Sequence, residues 1–572
     1  MLSASPRPLW PIAISALLGL VLLFVAQTTH PIVPSEDAYI TYRYARNLAQ
    51  GHGLVWNPGE DPVEGSTEFL WAVMLAAGHR LGLEVETAAT VFNLAFGAAA
   101  VVLVAIAGFC LSGRRLLPSL FATAAFAVGP VAYHVRAGFA TTLFTLLLTV
   151  CYVAAALLVL RQRQDRLRTA AFAAFALSGL FMGLTRPEGV FYAGLALLSL
   201  LVLLPGRDRR RVLAYSLALA ILPGLVYFLW RWRYFGFLLP NTFYVKSTGG
   251  LLHLRYFSNI YMMFRFMAPL LLLIGLGLLW ENSRIAYKRL VLLLPAFLFP
   301  WLYLLIDQLQ NLGMRFQYPV YPVFLLAGAA ALGLFTPAGS LRERGVRGAG
   351  LVTLLAGLAL IIFGLFVILP RPAMIAALVL AIVLLKLAAD RRWLGRRQAA
   401  APIIYLVLAG ALLVLSVQQS FRLAHTFYRT QFDDREVVGA ALRPYADKGY
   451  TVVASEAGWI PYFSQWRAID PFGLNDERVA HEGLSAEYLA TLAPDIIMYH
   501  EVAYPDPPRW ADMTRLLHDY AESHGYQLAA IVERKGSKDR HVYYVRGDNP
   551  DAAGLIDAIT GHDQFIYQYR AP

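Results

Sequence analysis

Charge is scarce in this chain. Only 15% of its 572 residues are Asp, Glu, Lys or Arg, where a soluble domain carries about 25%. Acidic residues are rarer still in the first three quarters: 15 precede residue 418, and 22 of the 37 follow it. Cysteine is nearly absent. Cys110 and Cys151 sit inside apolar runs, which rules out a disulfide framework and a metal-ligand spacing. There is no Walker loop, GxGxxG fingerprint or HExxH, so nucleotide hydrolysis and zinc proteolysis have no support. No low-complexity tract or short repeat interrupts the sequence. What is abundant is apolar: 58% of the residues are hydrophobic. Many lie in runs of about 20, enough to cross a hydrocarbon core of roughly 30 Å as helices. Soluble and disordered chains are both excluded.

The chain therefore reads as a polytopic α-helical membrane protein. Thirteen spans are expected, near 9–28, 88–111, 117–133, 139–160, 169–184, 189–204, 212–230, 264–280, 290–306, 318–336, 349–369, 372–389 and 400–418. With the N-terminus inside, clusters such as Arg114-Arg115, Arg207 to Arg211 and Arg391-Arg392 all fall on the cytoplasmic side. This placement explains the net charge of +12 without nucleic acid. No cleavage site separates the first run from Glu36, so that run reads as a retained helix rather than a signal peptide. Segment 68–83 is apolar but too short to span, which predicts a helix lying in the outer interface. Segment 31–50 reads similarly, with Tyr39, Tyr42 and Tyr44 at headgroup level. Residues 419–572 have soluble composition and are expected to form an extracytoplasmic α/β domain. Its strands are expected at Tyr450–Ser455, Asp495–Tyr499, Leu528–Val532 and His541–Val545, and its helices at 483–493 and 510–524.

Eight of the 15 early carboxylates crowd into Glu36 to Glu86, just after the first span. Charge at a membrane boundary is costly to desolvate and usually marks a site. An outer cavity can draw a general base from Glu36, Asp37, Glu60, Asp61, Glu64, Glu68, Glu188 and Asp307. Glu36 and Asp37 are favoured because they sit where the first span emerges. The competing reading is that Ser35, Glu36 or Asp37 merely caps helix 38–50. Arg186, Arg231, Arg233, Lys246 and Arg315 lie on the outer side, against the positive-inside tendency. An anionic lipid phosphate would explain them, as would snorkelling to headgroups. Arg186 beside Glu188 could equally be a local ion pair. His134 reads as an interfacial histidine. Trp56, Trp71, Trp230 and Trp232 suit an aromatic belt or a stacked sugar.

Five ordered pieces carry a family resemblance. They are Glu36 to Asn57 (EDAYITYRYARNLAQGHGLVWN) with Val63-Glu64-Gly65, then Leu184 to Gly189 (LTRPEG), and Arg233 to Lys246 (RYFGFLLPNTFYVK). Arg315-Phe316 with Pro319 follows, and Ile469 to Asp476 (IDPFGLND) is the weakest. The chain resembles the GT-C class of integral-membrane glycosyltransferases, above all the terminal arabinofuranosyltransferases of mycobacterial arabinan synthesis and their pilin-modifying relatives. The resemblance implies a GT-C-like transmembrane catalytic domain over 1–418 and the extracytoplasmic domain over 419–572. It implies a catalytic aspartate, which falls on Asp37. Relatives more often have two aspartates there, and this chain has Glu36 in the first place. A Gly-Leu-Glu-like turn stands altered as Gly138-Phe139-Ala140.

The expected function is transfer of a sugar, D-arabinofuranose, from a polyprenyl-phosphate donor to a hydroxyl of a cell-wall glycan or protein acceptor, at a bacterial plasma membrane. Arg315, Lys246, Arg233 and Arg186 are expected on the donor phosphate. Arg43, Tyr44, Trp56, Asn57, Glu64, Glu188 and Asn241 are expected on the substrates. Glu36 or Glu64 becomes a second participant if the anomeric configuration is retained. No cofactor is firmly implied and no metal ligand is assigned. A divalent cation bridging Asp37 and the phosphate stays open. The alternatives are an anionic-lipid transporter or flippase, or a GT-C enzyme moving mannose or aminoarabinose. A transporter predicts mid-span charges or broken spans in matching halves, and neither stands out.

Overall fold

The structure, a computed structural model, describes residues 9–29, 33–160, 165–246, 252–281, 283–308, 311–335, 351–368, 410–411, 414–422, 433–502, 508–533 and 539–571. Among these residues, eight helices are long and apolar enough to cross a membrane. Three shorter apolar helices, Leu116–Ala127, Glu188–Leu203 and Leu355–Gly364, accompany them. Together they fall on eleven of the expected spans. Span 372–389 lies outside the described residues, as does 400–418 up to residue 409. These helices have little amphipathic contrast because both lipid and neighbouring helices accept apolar side chains. The chain is a multi-pass membrane protein.

Two helices stand in the first outer loop, Ala38–Ala49 and Phe69–Arg80. Arg80 donates to the carbonyls of Ala49 and Leu48 at 3.0 and 3.3 Å and so closes the end of the first of them. The headgroup placement of Tyr39, Tyr42 and Tyr44 is corrected by the structure. Every residue from Ala38 to Asn47 is buried. Protein, not lipid, covers this helix: Tyr39 and Tyr42 pack edge-on against Tyr462, and Tyr44 lies tilted against Trp56.

The cover is the C-terminal domain. Its six-stranded sheet comprises β1 (Thr451–Ala454), β2 (Arg467–Ile469), β3 (Ile496–Glu501), β4 (Tyr526–Glu533), β5 (Arg540–Arg546) and β6 (Ile566–Arg570), in the order β2-β1-β3-β5-β4-β6. β1 pairs in parallel with β2 and β3, and the remaining pairs are antiparallel. The sequence indicates four of these strands. It does not reveal β2, which has three residues, or β6, a mostly exposed edge. The helical stretch 414–422 runs through residue 418, where the two domains were expected to meet.

The C-terminal domain does not close its core alone. Ile40, Tyr44 and Trp56 of the first loop share an apolar cluster with Val452, Ala454 and Trp466. Trp459 and Tyr462 enter the cluster of the first-loop helices in return.

Candidate active site

A cavity of about 340 Å³ opens beside the start of the helix Ala38–Ala49. Asp37, Glu68, Glu188, Arg186, Lys246 and Arg315 supply its charged walls. These six come from five separate pieces of chain, and Leu474 of the C-terminal domain completes the lining. Phe191, Phe243 and Leu305 line it too and are 38–40% exposed, giving the cavity an apolar rim.

Asp37 occupies the N-cap position of the helix, yet its side chain makes no capping hydrogen bond. It turns to the cavity instead, where Arg315 Nη2 lies 3.4 Å from Asp37 Oδ2. Capping alone therefore does not account for this residue. The Arg315 guanidinium lies 3.7 Å from the centre of the Phe139 ring, and its buried Nε has no hydrogen-bond partner. Gly138, at φ +90°, makes the sharp turn that presents Phe139. Tyr42 and Trp71 donate to its carbonyl.

Arg186 donates to Glu188 at 2.6 Å and to the Tyr303 hydroxyl at 3.3 Å, and that hydroxyl donates to Glu188 at 2.9 Å. The local ion pair exists, and it is also a wall of the cavity. Burial lowers the Lys246 ammonium below its ordinary value; Asp37 opposes this, while Arg315 and Arg186 add to it. Burial likewise raises the Glu68 carboxyl, against Arg186, Arg315 and the Ala140 amide, which donates to it at 3.4 Å. A cavity holding three cations and an apolar rim can take a phosphate with a hydrocarbon tail. A carboxylate beside them can take a proton from a hydroxyl.

The other expected residues sit elsewhere. Arg233 is exposed and does not line the cavity. Arg231 is consumed by a buried ion pair with Glu64. Glu36 turns away from Asp37, and its carboxylate accepts from the backbone amides of Gly458 and Trp459. Arg43 donates to the carbonyls of Trp56, Pro461 and Trp466 and to Asn57. Tyr44 donates to the Val63 carbonyl at 2.7 Å. Trp56 Nε1 donates to the Ala468 carbonyl. Asn57 pairs with Ala468 through both its amide groups, continuing β2 as a strand would. Asn241 donates to the carbonyls of Gly473, Leu474 and Asp476. These residues fasten the C-terminal domain to the membrane domain. Asp307 is held by His253 and Arg255.

His134 is fully buried against Tyr318, so protein covers it and not headgroups. Trp56 and Trp71 are buried, whereas Trp230 and Trp232 are exposed as a belt would be. Tyr303 is a site residue that sequence reasoning did not name, and Phe139 and Phe316 stood in the resembling pieces without an assigned role. Glu68 belonged to the pool of acids, but only its burial inside the cavity distinguishes it. Among the described residues, the His, Asp and Glu groups close enough to share a metal lie in the C-terminal domain, not here.

Three comparisons bear on this geometry. Residues 421–546 match a domain of unknown function (DUF8728). A terminal beta-(1->2)-arabinofuranosyltransferase of Mycobacterium tuberculosis is 29% identical over 315 residues, which are 52% of this chain and 47% of that protein. The chain thus spans about half the length of the curated relative it matches. ArnT from Cupriavidus metallidurans, in a crystal structure bound to undecaprenyl phosphate, superposes with a TM-score of 0.56 at 14% identity. The match covers 95% of this chain and 99% of that one. The mycobacterial arabinofuranosyltransferase AftD superposes at 0.53 with 16% identity, over 96% of this chain and 41% of that one. The fold is shared with ArnT and AftD, and part of the chain resembles the M. tuberculosis arabinofuranosyltransferase.

Proposed function

We propose that this chain is a membrane glycosyltransferase that moves a sugar from a polyprenyl-phosphate donor to an acceptor hydroxyl, and that the sugar is D-arabinofuranose. The observation that carries the reading is the orientation of Asp37: a carboxylate at a helix N-cap that does not cap, turned into a cavity against Arg315, Lys246 and Arg186. The likeness to ArnT, solved with undecaprenyl phosphate, supports the lipid-phosphate donor. The likeness to the M. tuberculosis enzyme supports arabinofuranose.

In this reading the donor phosphate lies among Arg315, Lys246 and Arg186, and its chain leaves over Phe191, Phe243 and Leu305. The acceptor oxygen attacks the anomeric carbon as Asp37 takes its proton. The C–O bond to phosphate breaks, and the three cations stabilise the departing lipid phosphate. Glu36 and Glu64 are engaged elsewhere. If configuration is retained, Glu68 is the further cavity carboxylate placed to take part. The cavity and the C-terminal domain face the extracytoplasmic side, where a cell-wall glycan or a protein supplies the hydroxyl.

Radiolabelled polyprenyl-phosphate arabinofuranose and a short arabinan acceptor test the reading with detergent-purified protein. Wild type transfers label. Asp37→Asn loses about 10²- to 10⁴-fold in rate while still binding donor. Full activity in Asp37→Asn rules out the base assignment. Transfer from a mannose or aminoarabinose donor in place of arabinofuranose corrects the sugar. Donor movement between leaflets without transfer would favour a transporter.

A further inference from the structure

The C-terminal domain holds a cluster of ionisable groups that the transfer reaction does not use. His500 on β3 and His541 on β5 are directly opposed in the antiparallel register, so both imidazoles rise from one face of the sheet. Their ring centroids are 4.7 Å apart and nearly perpendicular. Glu456 follows β1 at the same end: its Oε1 lies 3.2 Å from His500 Nδ1, and its Oε2 lies 3.9 Å from His541 Nε2. One ligand atom from each residue falls within 4.8 Å of the others. Ligands about 2.0–2.2 Å from a tetrahedral zinc ion lie roughly 3.3–3.6 Å from one another. A small inward movement of these side chains therefore reaches that geometry.

The second observation is the orientation of His541. It is fully buried, and Asp434 Oδ1 lies 2.6 Å from its Nδ1. The other Asp434 oxygen accepts from the Tyr543 hydroxyl at 2.6 Å. With its other oxygen accepting from Tyr543, Asp434 is assigned as the acceptor toward Nδ1, and the Nδ1–H donates to it. Nε2 is left without a hydrogen-bond partner and faces Glu456. A carboxylate fixing one imidazole nitrogen so that the other is bare is how proteins prepare a histidine for a metal. Carboxylates surround the two imidazoles: Asp434 lies at His541, Asp539 Oδ2 is 3.9 Å from His500 Nε2, and Arg435 pairs with Asp433 and Glu456.

We propose that Glu456, His500 and His541 bind a zinc-class divalent metal. Two imidazoles and one carboxylate suit zinc better than calcium or magnesium, which favour all-oxygen shells. The metal ties β1, β3 and β5 together beside the turn whose Gly458 and Trp459 amides hold Glu36. It is therefore a structural clamp behind the seam between the domains, and it stands or falls independently of the sugar-transfer reading.

The test uses full-length protein in detergent, without a polyhistidine tag, stripped with chelator and titrated with Zn²⁺ alone against a competing chelator. Wild type is expected to take up one equivalent by elemental analysis. His541→Gln should weaken binding at least 100-fold. Asp434→Asn, which leaves every proposed ligand in place, should weaken it roughly 10- to 100-fold. His524→Gln, on the exposed surface of the domain, should change nothing. Absence of stoichiometric zinc from wild type overturns the proposal, as does equal affinity in wild type and His541→Gln. Should His541→Gln fail to fold, Asp434→Asn decides: unchanged affinity there refutes the site.

Discussion

Glu36 and Asp37 are consecutive, yet they answer to different masters. Asp37 looks into the cavity, while Glu36 reaches the amides of Gly458 and Trp459 in the C-terminal domain. Burial pushes the Glu36 carboxyl up to about 8; Asp37 adds to this, and Arg435 and the two amides oppose it. A carboxyl raised on folding holds its proton longer in the folded state. Its contribution to stability is complete below the ordinary carboxylate value and is lost as pH rises through about 8. The thermal midpoint of wild type should therefore fall from about pH 5 to about pH 9 by some degrees more than that of Glu36→Gln, whose amide cannot ionise. Parallel pH profiles for the two proteins would show that Glu36 does not govern the seam. The same pair shows how far sequence reasoning reaches. It names Asp37 as a cavity residue from its place after the first span. It also names Glu36, because nothing local records a hydrogen bond to residues some 420 positions away.

At the scale of elements, the turn at Gly138 joins the first loop to the cavity. Its φ of +90° suits glycine, and an added Cβ would come within 2.8 Å of the Ala38 Cβ. Gly138→Ala should destabilise the protein by about 1–3 kcal/mol and weaken donor binding, because Phe139 would no longer lie flat beneath Arg315. Thermal unfolding and donor titration check the two effects separately. A variant with wild-type stability and affinity would show that the turn relaxes freely. Helices of this kind are legible because length and apolarity suffice to mark them. Eleven expected spans coincide with apolar helices. The helix Ala38–Ala49 is legible in extent but not in environment. Its tyrosines and arginines read the same whether headgroups or a folded domain cover them.

At the scale of the whole molecule, most residues expected to grip substrate grip the other domain. Arg43, Trp56, Asn57 and Asn241 all bond to backbone between Trp466 and Asp476 or close by. Asn57→Ala strips the Ala468 amide of its side-chain acceptor and leaves the carbonyl to Trp56 Nε1 alone, at about 1–3 kcal/mol. Hydrogen exchange at Arg467–Ile469 should accelerate roughly tenfold or more, with the membrane helices unchanged. Unaltered exchange there would mean that the seam does not depend on Asn57. Such a seam is invisible to pattern reading, since a residue conserving an interface and a residue touching a sugar are drawn from the same polar and aromatic types.

The seam also has a schedule. Roughly 375 residues separate Asn57 from the first described residue of the C-terminal domain, Asp433. At about 5–20 residues per second, the ribosome needs roughly 20–75 s to make them. Through that interval the tyrosine-rich helix has left the ribosome while its cover does not yet exist. Changes that loosen the seam should therefore lower the yield of assembled protein in the cell before they lower the rate of any molecule that has finished folding.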